Sequence, residues 1–206
     1  MAVYLLLGVT YAFAAAVQPG PYQAYLVSEA LSHGWRRTLP AALAPLLSDI
    51  PIILAVLFVL SSLPAAAGEG LRTAGGVFLL YLAWRAFRTW RVYQPGAESA
   101  AATVRRSVLS AAAVNLLNPN PWLGWSLVMG PLLLKAWRAS PADGIGLLLA
   151  FYGTMIVASM GIIVLFAGAR RLGPGVARGL VGASAAALGL FGGWQLWSGV
   201  TGLLGG

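Results

Sequence analysis

Apolar residues run along this chain in blocks of about 20 to 30, separated by short polar clusters. Blocks that long and that poor in charge predict helices spanning a bilayer, whose hydrocarbon core of about 30 Å takes roughly 20 residues at 1.5 Å each. Six segments follow: residues 3–32, 39–63, 73–90, 107–134, 145–167, and from the Gly173-Pro174-Gly175 turn to about residue 204. Ser140-Pro141-Ala142-Asp143 predicts the start of the fifth, with a serine cap, a first-turn proline and an early carboxylate. Gly175/Gly179 and Gly189/Gly193 in the sixth have the spacing that lets helices approach closely.

The first and fourth segments are too long for one straight span, and both are interrupted by polar residues and proline. The fourth contains Asn115-Leu116-Leu117-Asn118-Pro119-Asn120-Pro121-Trp122, and the first contains Gln18-Pro19-Gly20-Pro21-Tyr22. Proline removes a backbone donor, and an unsatisfied polar group in hydrocarbon costs several kcal/mol. With an offset of 100 residues, Pro19 and Pro21 align with Pro119 and Pro121, Gln18 with Asn118, and Tyr22 with Trp122. A second match, at an offset of 110, pairs residues 74–84 with 184–194. The expectation is an all-α membrane protein of six transmembrane helices, arranged as two inverted three-helix repeats with broken helices 1 and 4. The chain is then a single transmembrane domain: repeat 1 over about 1–91, a linker over about 92–106, and repeat 2 over about 107–206.

Composition agrees with lipid as the solvent. The 206 residues are 59% hydrophobic and 9% charged, against roughly 25% charged in soluble domains. The net charge of +8 does not point to nucleic acid, because the basic residues sit in short patches between apolar blocks. Arg36, Arg37, Arg88, Arg91, Arg105, Arg106, Arg170, Arg171 and Arg178 fall on one side of a six-span path. Only Arg72, Lys135 and Arg138 fall on the other. The basic side is the cytoplasmic one, which puts both termini outside. Residues 1–17 lack the basic start of a signal peptide and are expected to be the first half-helix. The chain has no cysteine and one histidine, which argues against a thiolate site, a metal site or an intramembrane enzyme.

The candidate site follows from the breaks. Half-helices beginning near Tyr22 and Trp122 would present free amides to an anionic group. Carbonyls freed by Pro19, Pro21, Pro119 and Pro121, with Gln18, Asn115, Asn118 and Asn120, would accept hydrogen bonds from an ammonium group; Gly20 completes the first turn. Asp49, inside the second span, is the candidate proton carrier or counter-charge, since an intramembrane carboxylate usually faces the bundle interior. Glu29 shares a helix face with Tyr22 and Tyr25 and would line a vestibule near the cytoplasmic end. Tyr152 and Thr154 stand opposite Asp49 in the second repeat. Arg85, Arg88 and Arg91, among Tyr81, Trp84 and Trp90, read as an interfacial anchor, and His33 as a loop residue.

At Pro19-Gly20-Pro21, at Ser28 to Arg37 (SEALSHGWRR), at Asp49 and at Asn115-Leu116-Leu117-Asn118-Pro119, the chain resembles the lysine-exporter (LysE/RhtB-type) family of bacterial inner-membrane transporters. The resemblance covers nearly the whole chain. It implies a multi-pass secondary active exporter of amino acids or related small metabolites, driven by protons, with no cofactor and a homodimer left open. Tyr22 follows Pro21 where the family commonly has asparagine, Ser48 precedes Asp49 where it has glycine, and Asn120 replaces a common lysine. These departures turn the expectation away from a specifically basic amino acid. A metal-cation exporter of a related family and a non-transporting scaffold or assembly protein stand as the alternatives.

Overall fold

The computed structural model of the chain describes residues 1–18, 20–58, 65–91, 104–169 and 173–205, and the described residues are helical almost throughout. In chain order the helices are α1 (Ala2–Val17), α2 (Pro21–His33), α3 (Trp35–Thr38), α4 (Ala44–Phe58), α5 (Ala65–Arg91), α6 (Val104–Leu116), α7 (Pro119–Gly124), α8 (Gly130–Ala139), α9 (Pro141–Gly168) and α10 (Pro174–Gly205). A 3₁₀ turn, Leu39–Leu43, joins α3 to α4, and a π-helical turn, Trp125–Met129, joins α7 to α8. The expected linker at 92–106 falls largely outside the described residues, as do Arg170, Arg171 and the end of the second segment.

Local chemistry accounts for the boundaries. Ser140 caps α9, its Oγ accepting from the Ala142 amide at 3.2 Å, with Pro141 at the first helical position and Asp143 in the first turn. Gly34 ends α2 at φ 78°, a backbone region that excludes most side chains and lets the chain turn into α3. The α5 helix begins eight residues before the expected start at residue 73, because hydropathy does not register its alanine-rich first turns.

Among the described residues, three helical runs are long and apolar enough to cross a membrane: Trp35–Val56, Pro141–Gly168 and Arg178–Leu204. The pair α1 and α2, bent by 64° at the first break, qualifies as a fourth if taken as one broken span. Large apolar side chains point outward along these helices: Leu127, Val157, Leu165, Leu190 and Trp197 are each about 70% exposed. Polar Ser48, Asp49, Asn115, Asn118 and Gln195 are buried instead. This inside-out arrangement suits lipid, where the hydrophobic effect does not drive helix association and close packing must.

The α1 helix runs parallel to α9, with Gly8 against Leu147 and Tyr11 stacked on Phe151 at 6.1 Å. The α5 and α10 helices pack antiparallel along most of their length. Gly75 and Gly76 face Gln195 and Leu196, and Gly192 faces Leu79 and Leu80. Here the expected glycine pairs are corrected. Gly175, Gly179 and Gly193 face open space and Gly189 only grazes Ala83; the close approach is made by Gly75, Gly76, Gly192, Gly199 and Gly202. Two buried clusters result. One is built around Tyr22, Leu26, Leu79, Ala111, Ile163 and Leu188, the other around Ala12, Ile52, Trp125, Met129, Leu147 and Phe151.

Candidate functional site

Both predicted breaks are present. The α1 helix ends at Val17, Gln18 is extended (φ −64°, ψ 125°), and α2 starts at Pro21. In the second half α6 ends at Leu116, Asn118 is extended (φ −85°, ψ 125°), and α7 starts at Pro119. Each break leaves carbonyls without intrahelical partners, and the protein itself satisfies them. Gln23 Nε2 donates to the carbonyls of Ala15 and Ala16 at 3.1 and 3.2 Å. Trp122 Nε1 donates to Leu116 O at 2.8 Å, and Gln195 Nε2, from α10, to Leu117 O at 3.0 Å. The expectation that these carbonyls await a substrate ammonium is therefore corrected for Ala15, Ala16, Leu116 and Leu117: side chains from the next half-helix and from α10 already donate to them. The two N-termini also differ. Asn118 Oδ1 accepts from the Asn120 amide at 3.1 Å, whereas no side chain caps the start of α2 at Gly20.

Asp49 is 3% exposed and is surrounded by uncharged donors from three other parts of the chain. Asn115 Nδ2 (α6) donates to Oδ1 at 2.9 Å; Trp125 Nε1 (the π-helical turn) and Tyr152 Oη (α9) each donate to Oδ2 at 3.2 Å. Asn115 Nδ2 also donates to Ser48 Oγ at 2.8 Å, tying α4 to α6. The π-helical turn is an extra-residue register shift of the kind that recurs at functional sites, and here it carries the indole that reaches the carboxylate. Among the described residues, no basic side chain is a hydrogen-bond partner of Asp49.

Asp49 lines a cavity of about 110 Å³ where the two buried clusters meet. Since one water takes roughly 10–15 Å³ in such a measure, the space admits a small organic molecule or several waters. Its wall includes Gln18, Gly20 and Tyr22 from the first break, and Asn115, Asn118, Asn120 and Pro121 from the second. An aromatic side completes it: Trp125 meets Phe151 edge-on at 5.8 Å and Tyr152 nearly parallel at 6.4 Å, while Tyr11 lies against Phe151.

The other expected residues are placed as follows. Pro21 opens α2 and Trp122 serves as the carbonyl cap described above, neither on the cavity wall. Pro119 opens α7 and Pro19 lies outside the described residues. Thr154 is on α9, half-buried and away from the cavity wall. Glu29 is not in this cavity either; it is 8% exposed in a second polar cluster. There Ser107 Oγ donates to Glu29 Oε2 at 2.7 Å and His33 Nδ1 lies 3.2 Å from the same oxygen. His33 is thus the last residue of α2 and a buried partner of Glu29, a correction to its reading as a loop residue.

Sequence reasoning missed Gln23, Tyr11, Trp125, Phe151 and Met155. Gln23 carried a usable signal, a polar side chain directly after a proline break in an apolar block. Trp125, three residues after Trp122, opens a π-helical turn that periodicity does not reveal.

Residues 13–199 match the family model described as LysE type translocator. No curated protein and no solved structure matches the chain.

Proposed function

The chain belongs to the LysE type translocator family, and we propose that this multi-pass membrane protein is a secondary active exporter. It would carry amino acids or related small metabolites out across the inner membrane in exchange for protons. The observation that carries this reading is Asp49, a buried carboxylate held by uncharged donors on the wall of a cavity lying between two broken helices.

Six spans are the architecture we propose: α1–α2, α3–α4, α5, α6–α8, α9 and α10, forming one domain of two inverted repeats. Two features support it. Spans one and five would both run inward, and α1 and α9 are parallel; spans three and six would run oppositely, and α5 and α10 are antiparallel. The carbonyls capped at the two breaks, Ala16 and Leu116, also correspond under the 100-residue offset. The basic clusters support an orientation with the loops after spans one, three and five in the cytoplasm and both termini outside. Sites on discontinuous helices near the midplane are the usual solution for transporters built this way.

Within the cavity, Asp49 exchanges a proton or faces the substrate ammonium, and the aromatic wall of Tyr11, Trp125 and Phe151 favours the same cationic end. The uncapped start of α2, with the Tyr22 and Gln23 amides, takes the carboxylate end. Gln18, Asn115, Asn118 and Asn120 supply neutral hydrogen-bonding groups for polar parts of the substrate. Because the cavity wall contains one carboxylate and no basic residue, it suits a zwitterion better than a dianion.

The test is accumulation of radiolabelled amino acids by everted membrane vesicles energised with a proton gradient, with and without an uncoupler. Gradient-dependent uptake by the wild type that the uncoupler collapses is expected. Uptake indistinguishable from vesicles lacking the protein, across the amino acids and small amines, overturns the exporter reading.

A further inference from the structure

Glu29 is buried, titratable and unused by the transport site just described. Its carboxylate ties α2 to α6 and shares a small cavity with α5. Ser107 at the start of α6 donates to it at 2.7 Å, and His33, one turn along α2, lies 3.2 Å from the same oxygen. From α5, Arg85 lines the same small cavity and acts electrostatically on Glu29. Tyr25, one turn before Glu29, donates its hydroxyl to the Ser107 carbonyl at 3.2 Å, so α2 is fastened to α6 twice. That space holds about 20 Å³ and is lined by Leu82, Ala86 and Leu188 besides the polar groups, too small for a substrate.

The position of this cluster gives it a role. The transport cavity ends at Tyr22. Beyond Tyr22, along α2, lies the packed cluster of Tyr25, Leu26, Ala30, Ala111, Val114 and Leu188, and Glu29 sits within that packing. The end it occupies is the one bearing Arg36, Arg37, Arg105 and Arg106. The polar fastening is also not duplicated. Under the 100-residue offset Glu29 corresponds to Met129, a buried apolar residue.

We infer that Glu29, through Ser107, is the latch that holds the half-helix α2 against α6 and closes the cytoplasmic end of the pathway. Alternating access then requires this contact to break, with α2 moving relative to α1, which stays packed on α9. The inference rests on the exporter reading for its orientation, but the contact itself is tested without substrate.

The absence of native cysteine allows a single reporter thiol. Ala111→Cys places one in the seal, on α6 at a fully buried position, and Ala12→Cys places a control in the other cluster. Labelling by a membrane-impermeant maleimide is followed in everted vesicles, which expose the cytoplasmic face. Glu29→Gln and the milder Ser107→Ala are each expected to accelerate labelling at position 111 by about tenfold, a shift of ~1.4 kcal/mol in the closed–open equilibrium. Labelling at position 12 is expected to be unchanged. Equal rates at position 111 in the parent and both variants overturn the latch, and so does a matching acceleration at position 12, which signals general loosening. Failure of the flux assay above with accelerated labelling at position 111 alone would sink the exporter reading and leave the latch standing.

Discussion

Replacing Asp49 separates what the carboxylate does for stability from what it does for transport. Asp49→Ala leaves Trp125 Nε1 and Tyr152 Oη, both at 3.2 Å from Oδ2, without an acceptor. Asn115 Nδ2 keeps Ser48 Oγ at 2.8 Å and is not orphaned. An unsatisfied buried donor costs ~1–3 kcal/mol, so the alanine variant should lose about 2–6 kcal/mol. Asp49→Asn keeps one oxygen, which can take the Oδ2 position and retain both bonds. The new amide group then faces Asn115, whose own amide can flip to accept from it. The asparagine variant also removes a buried charge that has no cationic hydrogen-bond partner, so its stability should stay within about 1 kcal/mol of wild type. Thermal unfolding in detergent reads the first quantity, and gradient-driven uptake in everted vesicles reads the second. The expected pattern is a folded Asp49→Asn protein without proton-coupled export and an Asp49→Ala protein that unfolds at clearly lower temperature. Undiminished export by Asp49→Asn refutes the coupling role. Equal stability of the two variants refutes the claim that the donors depend on the carboxylate.

Gly75→Val is expected to destabilise the α5–α10 contact by ~1–3 kcal/mol, because its side chain would meet Gln195 and the Leu117 carbonyl; unfolding temperature in detergent checks this. Trp122→Phe keeps the ring but removes the donor to Leu116 O, and Gln23→Ala removes the donor to Ala15 O and Ala16 O. Each should cost about 1–3 kcal/mol by the same measurement, and wild-type stability in both would show that the breaks do not rely on these caps.

Both interruptions were legible in the residue order, because two prolines and several polar side chains in an apolar block leave a helix no way to continue. Asp49 was legible for a related reason: a carboxylate in a span must find partners inside the protein. The partners themselves were not. Tyr152 stood opposite by rough symmetry, but Trp125 reaches Asp49 through a π-helical turn that no hydrophobic period announces. Glycine spacing misdirected the packing reading as well. Gly175/Gly179 and Gly75/Gly76 look alike in a string of letters, and only the course of α10 against α5 decides which pair is crowded.

Hydropathy, charge asymmetry and proline placement are properties of short stretches of chain, and they were enough to determine a lipid-embedded helical protein with two matched breaks and one inward carboxylate. The tertiary structure decided which groups those breaks leave free. Gln23, Trp122 and Gln195 turn freed carbonyls into occupied ones, and Ser107 and His33 turn Glu29 from a vestibule residue into a clasp. Hydrogen bonds between residues as much as 103 apart in sequence depend on where helices cross, and crossings are settled by side-chain packing across the whole bundle rather than by any local pattern.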